Sequence, residues 1–441
     1  MNFDKTYTVG IYTLGCKVNQ YESESIAEEL QKNGISVVSP SGVCDGYIIN
    51  TCTVTAESDR KARQFIRRAI NKNPEAFIVV TGCLAQTSPE DIAKIEGVDC
   101  VIGNTQKLIT VKKLCELFAN ATKNKSCDIC VSPLDDANFE KMAISKFDRT
   151  RAYIKIEDGC ENKCAYCIIP SARGAVRSKL PIDVLSEVET FVKSGCKEVV
   201  LTGIETASYG KDIENFKLCD LLCRVDRING IGRVRLGSLD PSLIRPDFVE
   251  KISSLKSLAP HFHLSLQSGS DKILAKMRRK YNSAMAMDAI KLLRQSIPNV
   301  KFSTDIIVGF PGESEEDFQQ TVDFVREAEF LTVHIFPYSK RKGTPAATMS
   351  DQIPQDEKSR RLHELSQVAS ECRKRILERE IERKIPCNVL FETFDGEYLY
   401  GHTADFLEIA VKHHKDLRSQ IASVRLTHTD GEYCFGEILE G

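Results

Sequence analysis

Cys160-Glu161-Asn162-Lys163-Cys164-Ala165-Tyr166-Cys167 sets three cysteines at CxxxCxxC spacing, directly after a short apolar run at 153–156. Three thiolates on one tight loop suit an iron–sulfur cluster, because soft sulfur ligands select such clusters. A four-iron cube needs four ligands. Without a distant fourth residue, one iron stays open to an outside molecule. The competing reading is a zinc site, but zinc pairs two short Cys/His couples and takes four protein ligands. No partner couple lies nearby.

The chain around this loop has 441 residues, enough for two or three domains. Its net charge is −2, so any nucleic-acid contact must come from local patches. No apolar run approaches the ~20 residues that span a bilayer, and Met1-Asn2-Phe3-Asp4-Lys5 does not read as a leader. Seventeen cysteines in a large chain without an export signal point to reduced thiols and metal ligands. A cytoplasmic enzyme with no membrane attachment is expected.

Residues 6–119 alternate strand and helix, with strands at 8–14, 35–38, 46–50, 77–81 and 100–102. That pattern predicts a doubly wound parallel sheet. Cys16, Cys52 and Cys83 each follow the carboxyl end of a strand, where ligands bind in open α/β sheets. Small residues precede each one, so backbone can approach a bulky group closely. These three cysteines are candidate ligands of a second cluster, whereas Cys44, Cys100 and Cys115 read as small buried hydrophobes. Arg60, Arg63 and Arg67 share a helix face, either as a phosphate stripe or as an ordinary solvated surface. Residues 120–146 read as a linker, and its Cys127/Cys130 pair lacks a second couple and is taken as incidental.

From 147 to 378 the alternation resumes with strands at 152–156, 198–201, 233–236, 261–266, 301–308 and 331–336. Six such units predict a partial (β/α)6 barrel with chemistry at the strand carboxyl ends. Gly203 and Glu205 follow the second strand, where Gly203 permits close backbone approach and Glu205 can meet an ammonium. A plain loop turn is the other reading of that pair. Ser238 and Gln267 end later strands with polar groups suited to a nucleotide-like ligand. No Walker loop, GxGxxG or HExxH is present. Two basic clusters follow strand exits, one at Arg278, Arg279 and Lys280 and one at Lys340, Arg341 and Lys342. Both are candidates for meeting a polyanion at the barrel mouth.

CxxxCx(aromatic)C, with Tyr166 in the aromatic place, resembles the radical S-adenosylmethionine (SAM) enzymes. Cys16-Lys17-Val18-Asn19-Gln20-Tyr21-Glu22-Ser23, Asn50-Thr51-Cys52 and Thr81-Gly82-Cys83 resemble the N-terminal domain of the methylthiotransferases within that group. The resemblance implies two [4Fe-4S] clusters, one on Cys160, Cys164 and Cys167 and an auxiliary one on Cys16, Cys52 and Cys83. It implies SAM bound at the open iron, with Gly203 and Glu205 at its amino group and Ile307 to Gly309 at its adenine. Pro337-Tyr338-Ser339-Lys340-Arg341-Lys342-Gly343-Thr344-Pro345 is similar to the branch acting on N6-threonylcarbamoyladenosine at position 37 of tRNA. Its Lys-Arg-Lys stands where the isopentenyladenosine branch has Pro-Arg-Pro.

The expected partners are tRNA and an electron donor of flavodoxin or ferredoxin type, with the sulfur source left open. Methylthiolation of isopentenyladenosine, or of a ribosomal-protein aspartate, is the alternative chemistry. A non-enzymatic iron–sulfur carrier is the alternative class. The family places a small TRAM-like β-barrel at 379–441, but seven Lys/Arg against twelve Asp/Glu there leave its RNA contact in doubt.

Overall fold

The computed structural model describes residues 5–439 apart from 121, 122, 124, 125, 136 and 148. Met1-Asn2-Phe3-Asp4, read above for a leader, lies outside the described residues. The first sheet is wholly parallel. It contains β1 (Thr8–Thr13), β2 (Ser36–Val38), β3 (Gly46–Thr51), β4 (Phe77–Gly82), β5 (Cys100–Ile102) and β6 (Asp128–Cys130) in the order β2-β1-β3-β4-β5-β6. Every residue of β3 and β4 is buried, as expected when helices cover both faces of a parallel sheet. Helices α1 (Lys17–Lys32), α2 (Ala56–Lys72), α3 (Cys83–Thr87), α4 (Pro89–Ala93) and α5 (Ile109–Asn120) supply that cover. The strand order reverses between β1 and β3, so the ligand crevice opens at their carboxyl ends.

Part of the expected linker is instead the sixth strand, β6. Period-two alternation turns Cys127 and Cys130 to opposite faces of it. They cannot act together as a CxxC chelate. Cys130 sits with Cys100 and Asp128, while Asp128 is held by Lys113 at 2.7 Å.

All six strands expected in the central region form. They are β7 (Arg151–Lys155), β10 (Glu198–Thr202), β11 (Arg233–Leu236), β12 (His261–Gln267), β13 (Lys301–Val308) and β14 (Thr332–Pro337). A two-residue pair, β8 (Glu157–Asp158) and β9 (Arg177–Ser178), lies between the first two. Sheets β11-β10-β7 and β12-β13-β14 join through the bridges Val234–Leu258 and Leu239–Leu264, which curve them into a partial barrel. Phe302, Ile306 and Val308 face the helices, and Ser303, Asp305 and Ile307 alternate with them toward the interior. One continuous apolar core runs from Val9 of the first sheet and Tyr21 and Phe118 of its covering helices through Ile154 and Val199 into the barrel.

The helix Gln355–Glu382 leads into a closed barrel of five strands. These are β15 (Cys387–Phe394), β16 (Tyr398–Thr403), β17 (Glu408–Lys412), β18 (Ile421–Thr429) and β19 (Cys434–Ile438). Its β16–β17 turn caps the bottom of the central barrel. Phe406, at φ 75°, stacks on His261 at 4.6 Å and lies under the guanidinium of Arg235, also at 4.6 Å. Around it Arg151 pairs with Glu392 at 2.8 Å and Lys301 with Asp405 at 3.0 Å. Phe406→Ala should therefore cost about 2–3 kcal/mol, below the ~3–5 of a fully buried phenylalanine, because the ring is half-buried. Urea unfolding checks this. An unchanged midpoint would mean that the turn bears no load.

Candidate functional site

The CxxxCxxC loop begins at Gly159, whose φ of +89° and close approach to Ala175 (a Cβ would lie 1.9 Å from its carbonyl oxygen) admit only glycine. The loop is pinned from two sides, by Ala165 N–H on Met277 O at 3.0 Å and Ala346 N–H on Ala165 O at 2.8 Å. Burial pushes the Cys160 thiol up to about 12 and the Cys167 thiol up to about 11. Thiols so placed ionise only when a cation or metal compensates them. The surroundings supply donors to sulfur: Arg279 Nη1 lies 3.2 Å from Cys164 Sγ, and Ile169 N–H lies 3.4 Å from Cys167 Sγ.

Cys16, Cys52 and Cys83 follow β1, β3 and β4, which are neighbours in the sheet, so the three thiols open onto one crevice and bear on one another. Burial pushes Cys52 up to about 11, and the charges of Cys83 and Cys16 add to the shift. Gly82, at φ +99°, tucks against Thr51, where a Cβ would fall 2.4 Å from the carbonyl oxygen. The segment that follows the CxxxCxxC loop reaches the other sulfur group. Arg173 ends the short helix α6 (Ile169–Arg173) that follows Cys167, and its Nε donates to Cys83 Sγ at 3.3 Å. Arg173 is fully buried. It also meets Glu22 at 2.6 Å, Asn19 at 2.6 Å and Asp158 at 3.2 Å. Clustered thiols ringed by N–H donors and guanidinium groups fit anionic iron–sulfur clusters at both places.

The expected SAM residues gather beside the loop. Glu205 accepts from Asn162 Nδ2 at 3.3 Å, and burial, then Asp240, pushes its carboxyl up to about 7. Tyr166 and Ile307 pack on one small apolar cluster with Ala165, Phe310 and Tyr338. Gln267 has φ +74° at a bulge ending β12, and Ser238 is exposed. The glycines work differently from the sequence reading. The space beside Gly203 is filled by Glu157 Oε2, 2.5 Å from a built Cβ, and that beside Gly309 by the Lys358 stem at 2.3 Å. Their smallness serves protein packing.

The basic residues divide. Arg278, Lys280, Lys340 and Lys342 are exposed. Arg279 is buried against Cys164, Asp240 (2.8 Å) and the Tyr281 ring (4.9 Å). Arg341 reaches back to the loop after Cys52, giving 2.6 Å bonds to both Asp59 and Thr53, while Ser339 Oγ accepts from Ala56 N–H at 3.0 Å. It clasps the first domain to the barrel rim and does not point outward as a free cation. Arg341→Ala should lower stability by about 1.5–3 kcal/mol, the cost of a lost charge-assisted hydrogen bond in a partly buried pair. A double-mutant cycle with Asp59→Asn reads the coupling, and additive losses would contradict the clasp.

The radical SAM superfamily model matches residues 154–325, and the model of the uncharacterised protein family UPF0004 matches residues 8–103. Among solved structures, the radical SAM methyltransferase TsrM from Kitasatospora setae aligns with TM-score 0.56 at 15% identity, over 78% of this chain and 77% of that one. The fold and the cysteine loop thus define a radical SAM protein. Two relatives carry the name threonylcarbamoyladenosine tRNA methylthiotransferase MtaB. That of Bacillus subtilis is 38% identical over 98% of this chain and 96% of its own length. That of Thermotoga maritima is 42% identical over 85% of each. The chain belongs to the radical SAM methylthiotransferase family, whose cofactors are iron–sulfur clusters and SAM.

Proposed function

We propose that the protein adds a methylthio group to C2 of N6-threonylcarbamoyladenosine at position 37 of tRNA, in the cytoplasm. Electrons would come from a flavodoxin- or ferredoxin-type donor. Cys160, Cys164 and Cys167 would hold the cluster that receives SAM, and Cys16, Cys52 and Cys83 the auxiliary one. SAM at the reduced cluster supplies the radical that an unactivated aromatic C–H requires, and the auxiliary cluster supplies the sulfur. The chain's own residues do the rest. Glu205 holds the amino group, Tyr166 and Ile307 give the adenine an apolar wall, and Ser238 and Gln267 offer polar contacts. Arg279 and Arg173 hold sulfur charge in place. Exposed Arg278, Lys340 and Lys342 would meet phosphates.

The observation that carries this reading is Arg173, which follows one cysteine triad by six residues and touches Cys83 of the other. With Arg173 bonded to Cys83 only six residues after Cys167, both sulfur sites can serve a single bound base. A relative named for threonylcarbamoyladenosine tRNA covers 98% of the chain, and one named for dimethylallyladenosine covers 84%. Mass spectrometry of tRNA nucleosides and ribosomal proteins from cells with and without the gene tests it. Loss of the methylthio group from isopentenyladenosine, or from a ribosomal aspartate, would replace this reading with one of its alternatives.

A further inference from the structure

The interior face of the central barrel holds a polar group of side chains that the chemistry above leaves unused. His263 (β12), Asp305 (β13) and His334 (β14) converge so that one ligand atom from each lies within 4.8 Å of the others. His263 has both nitrogens engaged, Nε2 with Asp305 Oδ2 at 3.1 Å and Nδ1 with Ser303 Oγ at 2.9 Å. His334, its ring 5.8 Å from that of His263, is exposed and makes no side-chain hydrogen bond among the described residues. Lys17 stands in the same interior, immediately after Cys16. The charges that bear most on its ammonium are Arg151, Arg235, Glu198 and Asp305, and it bears in turn on His261 and His334.

Each of those carboxylates already has a partner: Glu198 holds Arg235 at 2.7 Å, and Asp305 holds His263. Lys17 itself makes no ion pair among the described residues. A divalent cation does not suit this place, since the Lys17 ammonium bears on His334 and His263 has no free nitrogen. A carboxylate does suit it. The exposed Lys17 ammonium, without an ion pair among the described residues, bears on the exposed His334 imidazole, so both can donate to one carboxylate.

We propose that Lys17 and His334 receive the carboxylate of the threonylcarbamoyl side chain, with the His263–Asp305 pair fixing the wall behind it. The inference rests on the functional reading above and names the group that sets specificity within it. C2 and N6 share the Watson–Crick edge of adenine. The carboxylate lies only four bonds from N6, so a residue that receives it can stand near the sulfur, and Lys17 adjoins Cys16. Arg341, the cation that the sequence suggested for this role, is held by Asp59.

The test uses reconstituted enzyme and an anticodon stem-loop RNA bearing threonylcarbamoyladenosine, isopentenyladenosine or plain adenosine at position 37. Lys17→Met and His334→Leu should each weaken binding of the threonylcarbamoyl RNA about tenfold to a hundredfold, as loss of a charge-assisted hydrogen bond does. Binding of the plain-adenosine RNA should stay within about twofold, and Lys17→Arg should recover most of the loss. Equal weakening on all three RNAs, or no weakening, overturns the proposal. Iron is counted in each variant, and if Lys17→Met loses iron the His334→Leu comparison decides alone. Wild-type enzyme that methylthiolates the isopentenyl RNA and not the threonylcarbamoyl RNA overturns the functional reading itself, which is a separate result.

Discussion

Enzyme carrying alanine at Cys16, Cys52 and Cys83 should still cleave SAM when reduced, yet insert no sulfur. Enzyme carrying alanine at Cys160, Cys164 and Cys167 should do neither. The C2–H of an adenine is neither acidic nor electrophilic, so no acid–base side chain can replace the radical, and both losses should be complete within detection. Reconstituted wild type should hold about eight irons and each triple variant about four, if each triad of thiolates carries one four-iron cube as proposed. Cys44→Ala and Cys100→Ala are matched controls. Both residues are as buried as Cys52 and Cys83 but lie away from the triads, so iron should not change. Iron analysis, chromatography of 5′-deoxyadenosine and nucleoside mass spectrometry give the three readouts. Sulfur insertion by the N-terminal triple variant would sink the division of labour.

The cysteines were legible because their spacing and their places after apolar strands follow from local pattern. For the same reason the strands at 100–102, 233–236 and 301–308 form at the expected bounds. Sheet order is not local. That β1, β3 and β4 are neighbours, which brings the first three cysteines together, depends on a topology that no window of sequence contains. Strand β6 of the first sheet hid in a polar stretch because three residues of edge strand carry almost no periodic signal. β16 carries little signal in the acidic tail for a related reason, since Tyr398–Thr403 mixes aromatic, glycine and histidine residues.

Charge was read least well. Arg341 looked like a free cation because its run is basic, whereas its partner Asp59 lies 282 residues away. Lys155 sits inside an apolar strand run, and that anomaly was the available signal for a buried ion network. Glu22 could have been any exposed helix carboxylate until Arg173 and Lys155 were brought to it.

Glu22→Gln should remove about 3–5 kcal/mol of stability, the cost of breaking a buried ion pair while leaving its partners charged. Glu22 and Arg173 are fully buried. The Glu22 carboxylate meets Lys107, Lys155 at 2.7 Å and Arg173 at 2.6 Å, while Asp158 takes Lys155 at 2.6 Å and Arg177 at 3.5 Å. Four cations thus share two carboxylates beside Cys83, an imbalance that an anionic cluster would offset. Burial alone would raise the Glu22 pKa, but Arg173, Lys107 and Lys155 hold it well below the ordinary range. A carboxylate depressed in the folded state contributes its stability above the unfolded pKa of about 4.3 and loses it as pH falls toward the native value. The gap between wild type and Glu22→Gln should therefore be largest near neutral pH and shrink below about pH 4. Urea unfolding of iron-free protein across that range measures it. A neutral-pH loss under about 1 kcal/mol, the value of an exposed pair, would mean that water reaches the network.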